Sequence, residues 1–198
     1  MLFSVKAKLG FLAMPKAGST AIEQTLRPFC DISYSNSPDF THMTARLFNT
    51  HMRPYFKHRK IEGVETCCLM RHPVSWLGSW YRYFSMDHFV GKQQSTKNMS
   101  FDEFSDLYLS MDNEAIKSIA RPWDFMRGHN GKLAINNVYR YENMELFYSF
   151  LEARFGQKLV FEHVNVSPQR PTDLSPAVMK EIENYFSLEF DVYESIKH

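Results

Sequence analysis

The chain has 198 residues, of which 44% are hydrophobic and 23% charged, with a formal net charge of +1 at pH 7. That length can bury one full core without disulfide or metal staples. The near-neutral balance excludes a global field that would draw the protein to nucleic acid or a membrane, so neither is expected as a partner and any anion site must be local.

Three cysteines do not make a disulfide framework: Cys67 and Cys68 are adjacent in an apolar run, and Cys30 stands alone. A reducing compartment is the simplest inference. Lys6, Lys8 and Pro15 interrupt any signal-peptide h-region, and no run approaches the length of a membrane span. A complete, cytoplasmic protein is expected.

Residues 5–14 are mostly apolar apart from their lysines and Gly10, and predict a strand entering the core. Met14-Pro15-Lys16-Ala17-Gly18-Ser19-Thr20 predicts a tight turn. Residues 21–26 continue as a helix with Ile22 and Leu26 on one face. Residues 32–34 predict a short strand, and 43–56 show helical periodicity broken near Pro54. Residues 64–70 form a second apolar run, the pattern of a buried parallel strand. Arg71-His72-Pro73 ends it, and Pro73 suits the first turn of a helix reaching about residue 84.

Residues 88–100 are polar and predict a flexible loop. Ser100 and Glu103 have capping-box spacing for a helix over 101–109. Asp112, Asn113 and Glu114 mark a polar turn, and Gly128-His129-Asn130-Gly131 another. Residues 138–141 predict a strand, and 144–155 a helix that stops at Gly156. Ser175-Pro176 opens a last helical region containing Val178, Ile182 and Phe186. Strands alternating with helices imply an α/β fold with three layers, α/β/α, around a central parallel sheet, as one domain over 1–198.

Two constellations carry chemistry. A strand running into Pro15-Lys16-Ala17-Gly18-Ser19-Thr20 and then a helix is a phosphate-binding arrangement, because the helix start offers unpaired N–H groups and partial positive charge. Gly18 lets the backbone approach an anion, Ser19 and Thr20 add hydroxyl donors, and Lys16 adds a mobile charge. The lysine precedes the glycine, which departs from the Walker A order and disfavours an ordinary ATPase. The second constellation is Arg71-His72-Pro73 followed by a helix with Ser79 eight residues after the arginine. Arginine at a strand end and serine two helical turns on can share one phosphate.

In this order the two motifs resemble the sulfotransferases that use 3′-phosphoadenosine-5′-phosphosulfate (PAPS), a family with a P-loop NTPase-like fold. The resemblance implies that Lys16, Ala17, Gly18, Ser19 and Thr20 hold the 5′-phosphosulfate, with Lys16 also at the bridging oxygen. It implies that Arg71 and Ser79 hold the 3′-phosphate. Thr41-His42-Met43-Thr44-Ala45 resembles the family's His-x-Thr-Ala helix start, and Arg140-Tyr141-Glu142-Asn143 its Arg-Tyr/Phe-Glu-Asn strand end. His163-Val164-Asn165-Val166-Ser167 and Asp191-Val192-Tyr193 resemble its later segments. The family's late basic loop makes Arg170 a further candidate at the 3′-phosphate.

The implied activity is transfer of a sulfuryl group to a hydroxyl or amine of a small-molecule or carbohydrate acceptor, leaving 3′-phosphoadenosine-5′-phosphate (PAP). A base must take the acceptor proton. His42 is the leading candidate, because histidine titrates near neutrality, with Glu23 and Asp39 as alternatives. His72 is assigned to shaping its turn, Trp76 and Trp80 to the core, and His51 and His58 to a solvated basic face. Segments 84–97 and 123–126 are candidates for the acceptor pocket. The strand end Leu69-Met70-Arg71 lacks the aspartate of a magnesium site, and no zinc-site spacing occurs, so no metal is expected. The competing readings are a P-loop kinase of a small molecule and a non-catalytic PAP-binding module.

Overall fold

The computed structural model describes residues 1–161 and 168–196, so the segment His163-Val164-Asn165-Val166-Ser167 lies outside the described residues. In chain order the elements begin with β1 (Leu2–Ser4), β2 (Leu9–Phe11), α1 (Ser19–Leu26), β3 (Ile32–Ser33), α2 (Pro38–Thr41), α3 (Ala45–Leu47) and α4 (Arg53–His58). They continue with β4 (Glu65–Met70), α5 (Pro73–Phe84), α6 (Phe101–Ser110), α7 (Glu114–Lys117), α8 (Pro122–Met126) and β5 (Asn137–Arg140). The last three are α9 (Met144–Phe155), α10 (Pro176–Tyr185) and α11 (Ser187–Ser195). The chain divides into two compact units: Met1–Arg71 with Pro122–Val164 and Ile196–His198, and His72–Arg121 with Asn165–Ser195.

The first unit holds a mixed five-stranded sheet in the order β3-β1-β2-β4-β5. β2 pairs parallel with β4, Phe11 opposite Cys67, and β4 parallel with β5, Met70 opposite Arg140. β1 runs antiparallel to both β2 and β3, so the expected all-parallel sheet is parallel only across β2, β4 and β5. The reason lies in residues 5–14, which are not one strand. Lys6 and Lys8 cannot be buried in a core strand, and the chain reverses to expose them. The Lys8 N–H donates to the Val5 carbonyl at 3.2 Å, and Lys8 takes a left-handed backbone with φ 50°. β2 follows as three residues, and Leu12 extends it by donating to the Cys67 carbonyl at 2.9 Å.

The sheet unit packs through aromatic pairs, with Phe3 stacked on Phe56 at 3.9 Å and Tyr139 tilted against Phe147 at 5.3 Å. Cys67 and Cys68 are fully buried and carry free thiols, and burial pushes both thiols above their usual range. Successive strand side chains face opposite sides, so both faces of β4 are covered. Helical structure begins at Ala45 and runs past Pro54 to His58, because a π-helical turn, Phe48–Met52, joins α3 to α4. Pro54 falls in the first turn of α4, where its missing N–H is least needed. α9 covers the predicted span and ends at Gly156, whose φ of 68° suits a helix stop.

In the second unit α5 covers Pro73–Phe84 as the proline and periodicity predict. Trp76 is buried and meets Trp80, Tyr108 and Phe186 edge-on, so the tryptophans are core. α6 opens with the full Ser100–Glu103 capping box. Residues 88–100, expected as a flexible loop, are pinned instead. Thr96 is fully buried, donating its N–H to Phe84 at 3.2 Å and its hydroxyl to Tyr81 at 2.6 Å.

Glu189 on α11 is also fully buried, and its carboxylate receives two bonds from Arg121, at 3.0 and 2.6 Å. Arg121→Ala leaves that carboxylate buried without its cation. Denaturant unfolding of this variant is expected to show a loss of about 3–5 kcal/mol.

Candidate functional site

The parallel register sets the site. β4 and β5 end level with each other at Met70 and Arg140, β2 ends opposite Cys67 at Phe11 and its chain runs on in the same direction, so the residues after all three strands leave from one carboxyl edge. This is where open α/β sheets bind ligands. After β2 the chain runs buried through Leu12, Ala13 and Met14 and then turns at Pro15. Both Lys16 (φ 63°) and Gly18 (φ 69°) take left-handed backbone, which bends the loop back onto α1. Gly18 is the N-cap of α1, no side chain caps the first turn, and no acidic residue lies in it. The opening N–H groups of α1, at Ser19, Thr20 and Ala21, therefore keep their pull on an anion. Ala17 and Ser19 are buried, Lys16 is half-buried, and Gly18 and Thr20 are exposed.

Arg71 follows β4 directly. Its Nη1 donates to the Lys16 carbonyl at 3.5 Å, and its guanidinium lies 4.7 Å from the centre of the Tyr141 ring. Tyr141 follows β5, and the other side of its environment is the loop glycine. A Cβ placed on Gly18 would lie 2.6 Å from Tyr141 Cε2. Tyr141 thus touches both the loop before α1 and the arginine. The sequence reading missed this role, although Tyr141 stood within the Arg140-Tyr141-Glu142-Asn143 segment. The available signal was an aromatic at a strand end beside two other strand ends that carry cations.

His42 is half-buried at the C-terminal end of α2, and Thr44 caps α3 two residues later. Its Nδ1 lies 2.7 Å from the Ala13 carbonyl, at the entry to the loop. A carbonyl only accepts, so this contact places the proton on Nδ1 and leaves Nε2 as the basic nitrogen of the neutral ring. Of the two alternative bases, Glu23 is buried, with Oε1 3.3 Å from the α-ammonium of Met1. Asp39 is exposed on α2.

The structure brings Lys16, Ala17, Gly18, Ser19, Thr20, His42 and Arg71 together within the sheet unit. Ser79 and Arg170 belong to the second unit. Ser79 is buried on α5. Arg170 donates to the Thr96 and Met99 carbonyls at 2.8 and 2.9 Å, with its guanidinium 4.2 Å from the Tyr81 ring centre. His72 starts α5, accepts the Trp76 N–H at 2.8 Å, and packs edge-on to Phe190 and Tyr193. Segment 84–97 contributes Ser85, Met86, Asp87 and Lys97 to an open cavity of about 510 Å³, which Pro168 and Arg170 complete. Phe125 and Met126 of segment 123–126 are buried in the sheet unit. Among the described residues no three His, Cys, Asp or Glu side chains gather as a metal site.

The chain matches no family model, and no curated protein matches it.

Gly18→Ala adds a methyl group where the Tyr141 ring already lies and imposes a positive φ on alanine. A stability loss of roughly 1–3 kcal/mol is expected by denaturant unfolding. In a double-mutant cycle with Tyr141→Ala, a coupling above about 0.5 kcal/mol will register the contact, since distant pairs add to within that margin.

Proposed function

We propose that the chain is a sulfotransferase that moves a sulfuryl group from PAPS to a hydroxyl or amine acceptor by in-line displacement. One observation carries the reading. An uncapped helix start behind a loop containing Lys16, the Arg71 guanidinium on Tyr141, and the His42 imidazole all meet at the carboxyl edge of the parallel strands. Anion donors and a base at one strand edge are what transfer from a phosphosulfate requires.

The donor set fits the nucleotide. Lys16 and the N–H groups of Gly18, Ser19 and Thr20 bind the 5′-phosphosulfate. Arg71 lies over the Tyr141 ring, and a guanidinium carries a fork of donors suited to the oxygens of the 3′-phosphate. PAPS, when bound, supplies a sulfuryl group on a phosphate leaving group. His42 Nε2 accepts the acceptor's proton as the acceptor–sulfur bond forms and the bridging sulfur–oxygen bond breaks. Lys16 and the helix N–H groups stabilise the charge that gathers on the departing phosphate, so PAP leaves with the electron pair. The protein's part is mainly position and electrostatics.

Arg71 is the residue that separates PAPS from ATP. Calorimetric titration with PAP is expected to show far tighter binding than with ADP. Arg71→Ala is expected to weaken PAP by roughly 10–100-fold, the scale of a charge-assisted hydrogen bond set. No PAP binding by folded protein overturns the assignment, and magnesium-dependent turnover of ATP replaces it with a kinase.

His42→Ala tests catalysis against mere binding. PAP affinity should hold while sulfuryl transfer falls by about 10²–10⁴-fold, the contribution of a general base. Transfer at the wild-type rate removes His42 from the mechanism.

A further inference from the structure

The edge of the sheet opposite the site carries a different chemistry. The turn between β1 and β2, the loop after α4 and the last turn of α9 meet there. Arg154 of α9 donates to the Ala7 carbonyl at 3.1 Å, and Glu65 donates its N–H to the Lys8 carbonyl at 3.0 Å. A Cβ on Gly63 would meet the Lys8 side chain at 3.8 Å. Lys6, Lys8, Lys57, Arg59 and Lys60 are all exposed along this edge. No carboxylate of the described residues lies within salt-bridge distance of any of them.

The charge is segregated. The chain is nearly neutral, yet between Asp39 and Glu62 it carries Arg46, Arg53, Lys57, Arg59 and Lys60 and no acidic residue. Of the acids on the edge, Glu65 pairs with Arg154 at 2.8 Å, and Asp31 accepts the Val5 N–H at 2.7 Å. Glu62 is exposed. The dipole of α4 accounts for Lys57 in its last turn. It does not account for Lys8 and Lys60, which stand in left-handed backbone at φ 50° and 57°, where glycine or asparagine fits with less strain. Two large apolar side chains are exposed on the same edge: Val5 at 40% in the hairpin turn, and Phe29 at 43% against Phe155.

We propose that this edge docks peripherally on a bilayer surface carrying anionic lipid. The cations sit at the level of the headgroup phosphates, and Val5 and Phe29 enter the interface. An aliphatic side chain at the apex of the turn gains nothing from a nucleic-acid backbone but gains from the acyl boundary, and this favours lipid over nucleic acid. No described helix is long and apolar enough to cross a membrane, so the contact is with the surface. The inference adds a surface contact to the expectation of no membrane partner, which rested on the net charge and on the lack of a membrane-spanning run. It does not depend on the sulfotransferase reading.

The test is co-sedimentation of the full chain with vesicles of phosphatidylcholine, with and without phosphatidylglycerol, at low and high salt. The protein is expected to pellet only with phosphatidylglycerol vesicles and to be released by salt. The Lys6→Glu, Lys57→Glu, Lys60→Glu variant is expected to partition at least about tenfold less while keeping the wild-type circular dichroism and melting temperature. Val5→Ser is expected to weaken binding at both salt concentrations, since it removes apolar insertion and no charge. The proposal falls if wild-type protein stays in the supernatant, or if the folded triple variant pellets like wild type. Tighter binding to a DNA or RNA oligonucleotide than to phosphatidylglycerol vesicles also overturns it.

Discussion

Parallel pairing of β2 with β4 and of β4 with β5 points the carboxyl ends of all three strands toward one edge of the sheet. The chain's next steps then share a small space, although 55 residues separate Lys16 from Arg71. An antiparallel arrangement of the same strands would send the loop and the arginine to opposite edges. The reversed strand β1, with β3 beyond it, lies on the far side of β2 and leaves this alignment intact. What distinguishes the two edges is therefore strand direction. One edge collects an uncapped helix start, Lys16, Arg71 and His42. The other collects helix ends and exposed lysines.

Within the site the restraints come from neighbours of the charged groups rather than from the charges. Tyr141 lies against the α-carbon of Gly18 and under the guanidinium of Arg71, so the loop and the arginine share one wall. The Ala13 carbonyl holds the His42 ring by Nδ1, which fixes both its tautomer and its direction. Left-handed backbone at Lys16 is the local cost of turning the chain onto α1, while Gly18 takes the same region without one. The supports are apolar and backbone groups and would hold their geometry when salt or pH alters the surface.

Local chemistry made some elements legible from residues alone. Pro73 at a helix start, the Ser100–Glu103 capping box and Gly156 after α9 each act through adjacent backbone, so their spacing suffices. The turn after Met14 and the helix that follows it were legible for the same reason. The β1–β2 reversal was not, because hydrophobicity averages over the two lysines that force the turn. Tyr141 was quoted within a motif, but its contacts with Gly18 and Arg71 depend on pairing across distant strands. Arg170 was picked as a loop cation, yet its guanidinium meets the Thr96 and Met99 carbonyls and the Tyr81 ring. Residues 88–100 are polar by composition, but one buried threonine anchors them to α5.

Cys67 and Cys68 are adjacent on β4, an interior strand, facing opposite sides of the sheet, and neither is reachable while the strand is in place. Burial keeps both in the thiol form, and alkylating reagents react with thiolate. Cys30, half-buried outside β4, is the third thiol. Replacing it would leave a protein whose labelling by such a reagent proceeds only when β4 separates from its neighbours. The modification rate then reports the opening free energy of the strand that carries Arg71, in the intact protein and without a probe attached.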